Sequence, residues 1–162
     1  MINGVSPVFI PAWWRWFGPA ASVAPVNPVK RLLLGSGRIS DALRGELAAE
    51  GIVFAEEGLT GSVRYRDYRD ARQRLHNEIE GTAGAILLTP GRLVVWTSRG
   101  PHRGKHIDVP LRDGRPVGIE VRAEPRRIVF GYDPGDFHAD RSGRVEVHLK
   151  TPSAADLGAR LG

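Results

Sequence analysis

The sequence predicts a mainly β domain of the α+β class, in which a run of short strands lies between two short helices. Three observations predict it. From Ile52 onward the apolar residues recur with a period of two rather than 3.6. Two apolar runs, residues 84–88 and 93–98, flank Thr89-Pro90-Gly91 at the centre of the chain. Pro presets φ for a turn and Gly accepts φ > 0, so these runs read as a hairpin. Helical periodicity is confined to two short segments with cap residues at their ends.

The 162 residues fit one domain plus an appendage, and 41% hydrophobic residues suffice for a real core. Cysteine is absent, which excludes disulfides and thiolate metal sites. The formal net charge is +5, from 23 basic and 18 acidic residues, and that balance favours anionic partners. No run approaches the roughly 18–20 apolar residues of a membrane span. Residues 1–4 lack the basic start of a signal peptide, so a cytoplasmic address is expected.

Residues 1–37 form a distinct arm ahead of a domain over 38–162. The arm holds five of the 12 prolines, three of the four tryptophans and no acidic residue. Repeated proline favours extended and turn conformations over a long helix. Trp13, Trp14, Trp16 and Phe17 cluster around Arg15, a composition suited to a lipid–water boundary, to a partner surface, or to a groove on the domain itself. Residues 28–34 have room for a turn or two of helix before Gly35-Ser36-Gly37.

The domain opens with a helix. Ser40 can cap it, Asp41 suits its positive end, Ile39, Leu43 and Leu47 recur every four residues, and Gly51 fits the left-handed position after it. The first strand begins at Ile52 and runs past Gly58 and Gly61, which suggest a bulge, to Tyr65. Residues 66–80 are a charged connection. The central hairpin supplies strands two and three. Residues 105–111 are the fourth, with Ile107, Val109 and Leu111 on one face. Residues 117–123 are the fifth, with Ile119, Val121 and Ala123 inward. Residues 127–132 are the sixth. Residues 144–150 are the seventh, alternating without a break, so one face is buried and the other wet. The closing helix has Thr151 as cap, Pro152 in its first turn, and Ala154, Leu157 and Leu161 on one face. At about ten residues it cannot be stable alone and must dock on the sheet.

Two stretches carry a family resemblance. One is strand, Leu88-Thr89-x-x-Arg92-Leu93, strand. The other is Gly143-Arg144-Val145-Glu146-Val147-x-Leu149-x-Thr151-Pro152 followed by the helix. With seven strands and one capping helix in that order, residues 50–161 resemble the bacterial PH-like and GRAM-like group of the pleckstrin-homology superfold. The resemblance implies a seven-stranded bent barrel capped by its C-terminal helix. It also implies a binding module for lipid headgroups or peptides, with no cofactor and no enzymatic activity. The chain departs from phosphoinositide-binding members in its first hairpin loop, residues 89–92, which is short and weakly basic. The aromatic residue often found in the family's last helix is missing.

Two basic stretches are candidate sites. Residues 99–106 hold Arg99, His102, Arg103, Lys105 and His106 with no acid, in a loop between strands where binding residues commonly sit. The imidazoles titrate near neutrality, so binding there would strengthen in mild acid. Arg64, Arg66, Arg69, Arg72 and Arg74 form a second patch with two tyrosines, suited to phosphate and base stacking. Asp67 and Asp70 lie within it and would neutralise it as a salt-bridged surface. His102 and His106 have a metal spacing only on a helix, which Pro101 and Gly104 oppose. The acids and His138 of residues 133–140 lack EF-hand spacing and read as a hairpin loop. No nucleophile motif or phosphate-cradling glycine loop occurs.

These observations favour a non-enzymatic module on an anionic membrane surface or a protein partner, peripheral to the inner face of the membrane. A basic nucleic-acid-binding domain is the first alternative. A structural or self-association protein whose arm completes its own core is the second. The oligomeric state is not specified by the sequence.

Overall fold

A computed structural model describes residues 35–100 and 103–162. Trp13, Trp14, Trp16, Phe17, the helix expected at 28–34 and His102 lie outside the described residues.

The elements in chain order are α1 (Asp41–Glu50), β1 (Phe54–Arg69), β2 (Arg74–Leu75), β3 (Glu78–Leu88), β4 (Arg92–Thr97), β5 (Gly104–Arg112), β6 (Arg115–Pro116), β7 (Glu120–Glu124), β8 (Arg127–Tyr132), a 3-10 turn (Pro134–Asp136), β9 (Ser142–Lys150) and α2 (Ala154–Leu161). Among the described residues nine strands stand where seven were expected. The extra two, β2 and β6, are two-residue ladders on β1 and β5. The connection expected over 66–80 is shorter than foreseen, because β1 continues to Arg69 and β3 already begins at Glu78.

All pairings are antiparallel, in the order β6-β5-β4-β3-β1-β9-β8-β7, with β2 beside β1. The sheet curls into a nearly closed barrel. A register shift between Glu56 and Leu59, beside Gly58, bends β1 as the glycines predicted. The hairpin turn is held differently from expectation. Gly91 does not use the left-handed region. The Thr89 hydroxyl instead accepts from the Gly91 and Arg92 N–H groups at 3.3 and 3.1 Å.

The inward faces form one core from Val63, Tyr65, Ile86, Leu93, Val95, Ile107, Phe130, Val147 and their neighbours. The hairpin is buried on its other face as well. Leu43 and Leu47 of α1, with Ile39, cover Ala85, Leu87 and Val94. That double burial explains why residues 85–88 read as a continuous apolar run rather than an alternating one. The Ser40 hydroxyl caps α1 by accepting from Leu43 N–H, and Gly51 ends it at φ 86.

α2 begins at Ala154 rather than Pro152, and Ser153 takes the cap position. Thr151 still organises the entry, because its hydroxyl accepts from Ser153 N–H at 2.9 Å. Both hydroxyls donate to the Glu56 carboxylate, which clips the helix start to β1. Ala154, Leu157 and Leu161 are buried in the barrel end, the face the spacing predicted.

Between β5 and β7 the described strands carry no ladder, which leaves a seam. One end of it is covered by α2, where the Arg115 side chain donates to the Gly162 carbonyl at 3.2 Å. The other end holds the site.

Candidate functional site

A β-bulge builds the centre of the site. On β5, Ile107 pairs with Val95 and Lys105 pairs with Trp96, so His106 is the extra residue. Strict alternation from Ile107 and Val109 would aim Lys105 into the barrel. The bulge aims His106 there instead and leaves Lys105 outside, where its ammonium meets Asp108 at 3.0 Å.

The His106 ring is held on both sides. Its Nδ1 lies 3.3 Å from the Thr97 hydroxyl and its Nε2 lies 3.0 Å from the Tyr132 hydroxyl. Tyr132 closes β8, so this contact spans the seam. An aromatic ladder continues from it. His106 and Tyr132 meet edge to face at 5.9 Å, and Tyr132 and Phe137 do so at 5.8 Å. Phe137 is placed by the 3-10 turn, which Asp133 caps by accepting from Gly135 N–H at 2.7 Å. On its far side the Phe137 ring lies against Gly118, which has φ 74 and where a Cβ would stand 2.8 Å from the ring. Burial pushes the Tyr132 phenol far above its ordinary value, so the hydroxyl stays protonated and neutral.

His106, Tyr132 and Phe137 line a cleft of about 290 Å³ along the seam. Its basic residues are Arg103, Lys105, His106, His138 and Arg141, and its acid is Asp108. Asp108 is already engaged by Lys105 and, at 3.4 Å, by Arg92. Arg103 and Arg141 have no carboxylate within salt-bridge distance among the described residues. The Arg141 Nε is buried and without a hydrogen-bond partner. Ile107, Val109, Ile119 and Phe137 supply the apolar lining.

The structure brings together part of the basic loop predicted from sequence. Arg103, Lys105 and His106 meet in the seam cleft. Arg99 lines a neighbouring, more open cleft of about 500 Å³ with Glu80, Gln73 and Ser98, and Arg103 borders both. Tyr132, Phe137, His138 and Arg141 were missed. They belong to a segment that reads as a turn-forming loop because Asp133, Pro134 and Gly135 dominate it. The available signal was an aromatic and two basic residues in that loop, directly after an apolar strand. Among the described residues no three histidine or acidic side chains gather as a metal site, the Asp133–Asp140 loop included.

The second patch is dispersed. Arg64 and Arg66 stand on the outer face of β1. Asp67 and Asp70 do not neutralise them. Asp67 contacts His76. Asp70 accepts from the Arg72 and Gln73 N–H groups and the Tyr68 hydroxyl, bonds that hold its carboxyl down at about 2. The acid facing the arginines is Glu146 of β9, buried and 3.3 Å from His148, with Arg66 at 3.9 Å, Arg144 at 3.4 Å and Arg122 at 4.0 Å around it. Arg69, Arg72 and Arg74 are exposed at the far end of β1, in the turn and on β2.

Among the described residues no helix is long and apolar enough to cross a membrane. Compared with known families, curated proteins and solved structures, the chain matches none.

Proposed function

We propose that this chain is a non-enzymatic, PH-like binding module that docks on an anionic membrane surface through the basic mouth of the seam cleft. The observation that carries the reading is the meeting of two distant segments. Residues 103–106 and 138–141 bring five basic side chains to one cleft, and its acid is already paired. Arg103 and Arg141 line it without a carboxylate in salt-bridge distance among the described residues, which favours an anion as their partner. The PH-like assignment is supported by the order of seven longer strands followed by a helix that plugs the barrel end. A peripheral place on the inner face of the membrane follows from this reading, with Trp13, Trp14, Trp16 and Phe17 as anchors.

Co-sedimentation with vesicles tests it. The full chain should pellet with anionic vesicles, not with neutral ones, and less so as salt rises. Arg103→Ala with Arg141→Ala should abolish pelleting, and replacing the three arm tryptophans by Ala should weaken it. Pelleting unchanged by the arginine pair would refute the assignment to this cleft. Binding to a single-stranded oligonucleotide that depends on Arg69, Arg72 and Arg74 would favour the nucleic-acid reading instead.

A further inference from the structure

The seam cleft is polar at one end and apolar at the other. Arg103, His106 and Arg141 stand at its mouth, where β5 begins and β8 ends. Val109 lies three residues further along β5, about 10 Å at 3.3 Å per residue. There the Val117 N–H donates to the Pro110 carbonyl at 3.0 Å, which brings the following residues, Ile119 among them, back beside β5. Between the two ends lies the edge of the Tyr132–Phe137 pair, with Phe137 40% exposed. A bare inorganic anion would use the mouth and leave the apolar wall wet. A neutral apolar molecule would leave the Arg103 and Arg141 guanidinium groups without a counter-charge. The volume, about 290 Å³, lies just under the range of ligand pockets, about 300 to 1,000 Å³, which suits a small ligand.

We infer that the seam cleft binds a small amphipathic acid, with its phosphate or carboxylate head on Arg141 and Arg103 and its aromatic or short hydrocarbon body on Phe137, Ile119 and Val109. The inference rests on the anion reading of the same cleft and adds the chemical class of the ligand. Arg141 supplies a planar fork for two acid oxygens, and His106, fixed by Thr97 and Tyr132, presents its ring edge beside the head. The shared chemistry is an acid group on an apolar stem, whether it is free in solution or part of a lipid.

Titration calorimetry on the full chain tests this with three probes: phenyl phosphate, inorganic phosphate and benzyl alcohol. Phenyl phosphate should bind at least tenfold more tightly than either of the others. Arg141→Gln and Phe137→Ala should each weaken it at least tenfold, with melting temperatures confirming that both variants fold. Phe137 is well exposed, so its truncation leaves the core intact. Anionic vesicles that compete with phenyl phosphate would identify a lipid as a source of the acid. Failure to compete while phenyl phosphate binds would assign the cleft to a free acid. Equal binding of phosphate and phenyl phosphate would overturn the amphipathic inference and leave the anion reading standing. Vesicle pelleting without phenyl phosphate binding would overturn it too, again sparing membrane docking. Phenyl phosphate binding unaffected by either substitution would refute the placement in this cleft.

Discussion

The Tyr132 hydroxyl and His106 Nε2 lie 3.0 Å apart, a side-chain bond across the seam where the described strands share no ladder. It ties β8 to β5 in place of a backbone pair. Tyr132→Phe deletes the hydroxyl and keeps the ring, so it should cost about 1 kcal/mol. A double-mutant cycle with His106→Ala, read by urea denaturation, should give a coupling of about 0.5 kcal/mol or more. Strict additivity would mean that the bond does not join the two strands energetically.

The barrel end depends on α2. Leu157 is fully buried, so Leu157→Ala should cost about 2–5 kcal/mol in the same assay. Truncation before Thr151 should lower the melting temperature further, because the whole buried face is lost. An unchanged melting temperature would show that the helix does not close the core.

Glu56 is a separate lever on that helix. It accepts from the Thr151 and Ser153 hydroxyls, about 95 residues away in the chain. Glu56→Ala removes a charged acceptor for both, and hydrogen bonds to charged groups are worth about 1.5–3 kcal/mol. Its denaturation midpoint should fall, while Thr151→Ala should cost less in the Glu56→Ala background than in the native chain, where it loses the Glu56 bond as well as the Ser153 N–H bond.

Stability should decline in mild acid. Burial pushes the His148 imidazole below its ordinary value, and its bond to Glu146 only partly opposes this. Below about 6.5 the unfolded chain therefore takes up a proton that the folded chain refuses, and folding weakens as pH falls toward the lower folded value. Glu146 acts in the same direction further down. Burial raises it, but His148, Arg144 and Arg66 together hold it below the usual carboxylate range. Its contribution is complete above about 4.5 and is lost as pH falls through the depressed value. Melting temperatures at pH 7.5 and 5.5 check this, and His148→Gln should shrink the difference between them.

Much of this architecture was legible in the residues. Ser40 and Gly51 mark the ends of α1, the alternation of residues 144–150 marks β9, and Thr89-Pro90-Gly91 marks the hairpin. These signals are local, and local conformation realises them as elements, but the wet face expected of β9 is not found, because Glu146 and His148 on that face are buried. The site was legible in half. Residues 99–106 announce themselves by charge without acid. Their counterpart, residues 132–141, is brought to them by sheet curvature, which no periodicity encodes. The neutralisation of Arg66 failed to read for the same reason. Its acid, Glu146, becomes a neighbour through the β1–β9 ladder and not through the nearby sequence.

The bulge at His106 works as a phase marker. A strand that alternates faces has only two settings, and one added residue switches between them. On β5 the switch falls between an imidazole and an ammonium. Pairing His106 directly with Trp96 would return the strand to its even beat and turn Lys105 inward, an unpaired charge among apolar walls. Such a state is self-penalising. The residue that gives the cleft its polar edge is thus also the extra residue of the bulge, so the polar lining and the phase of the strand are set at one position.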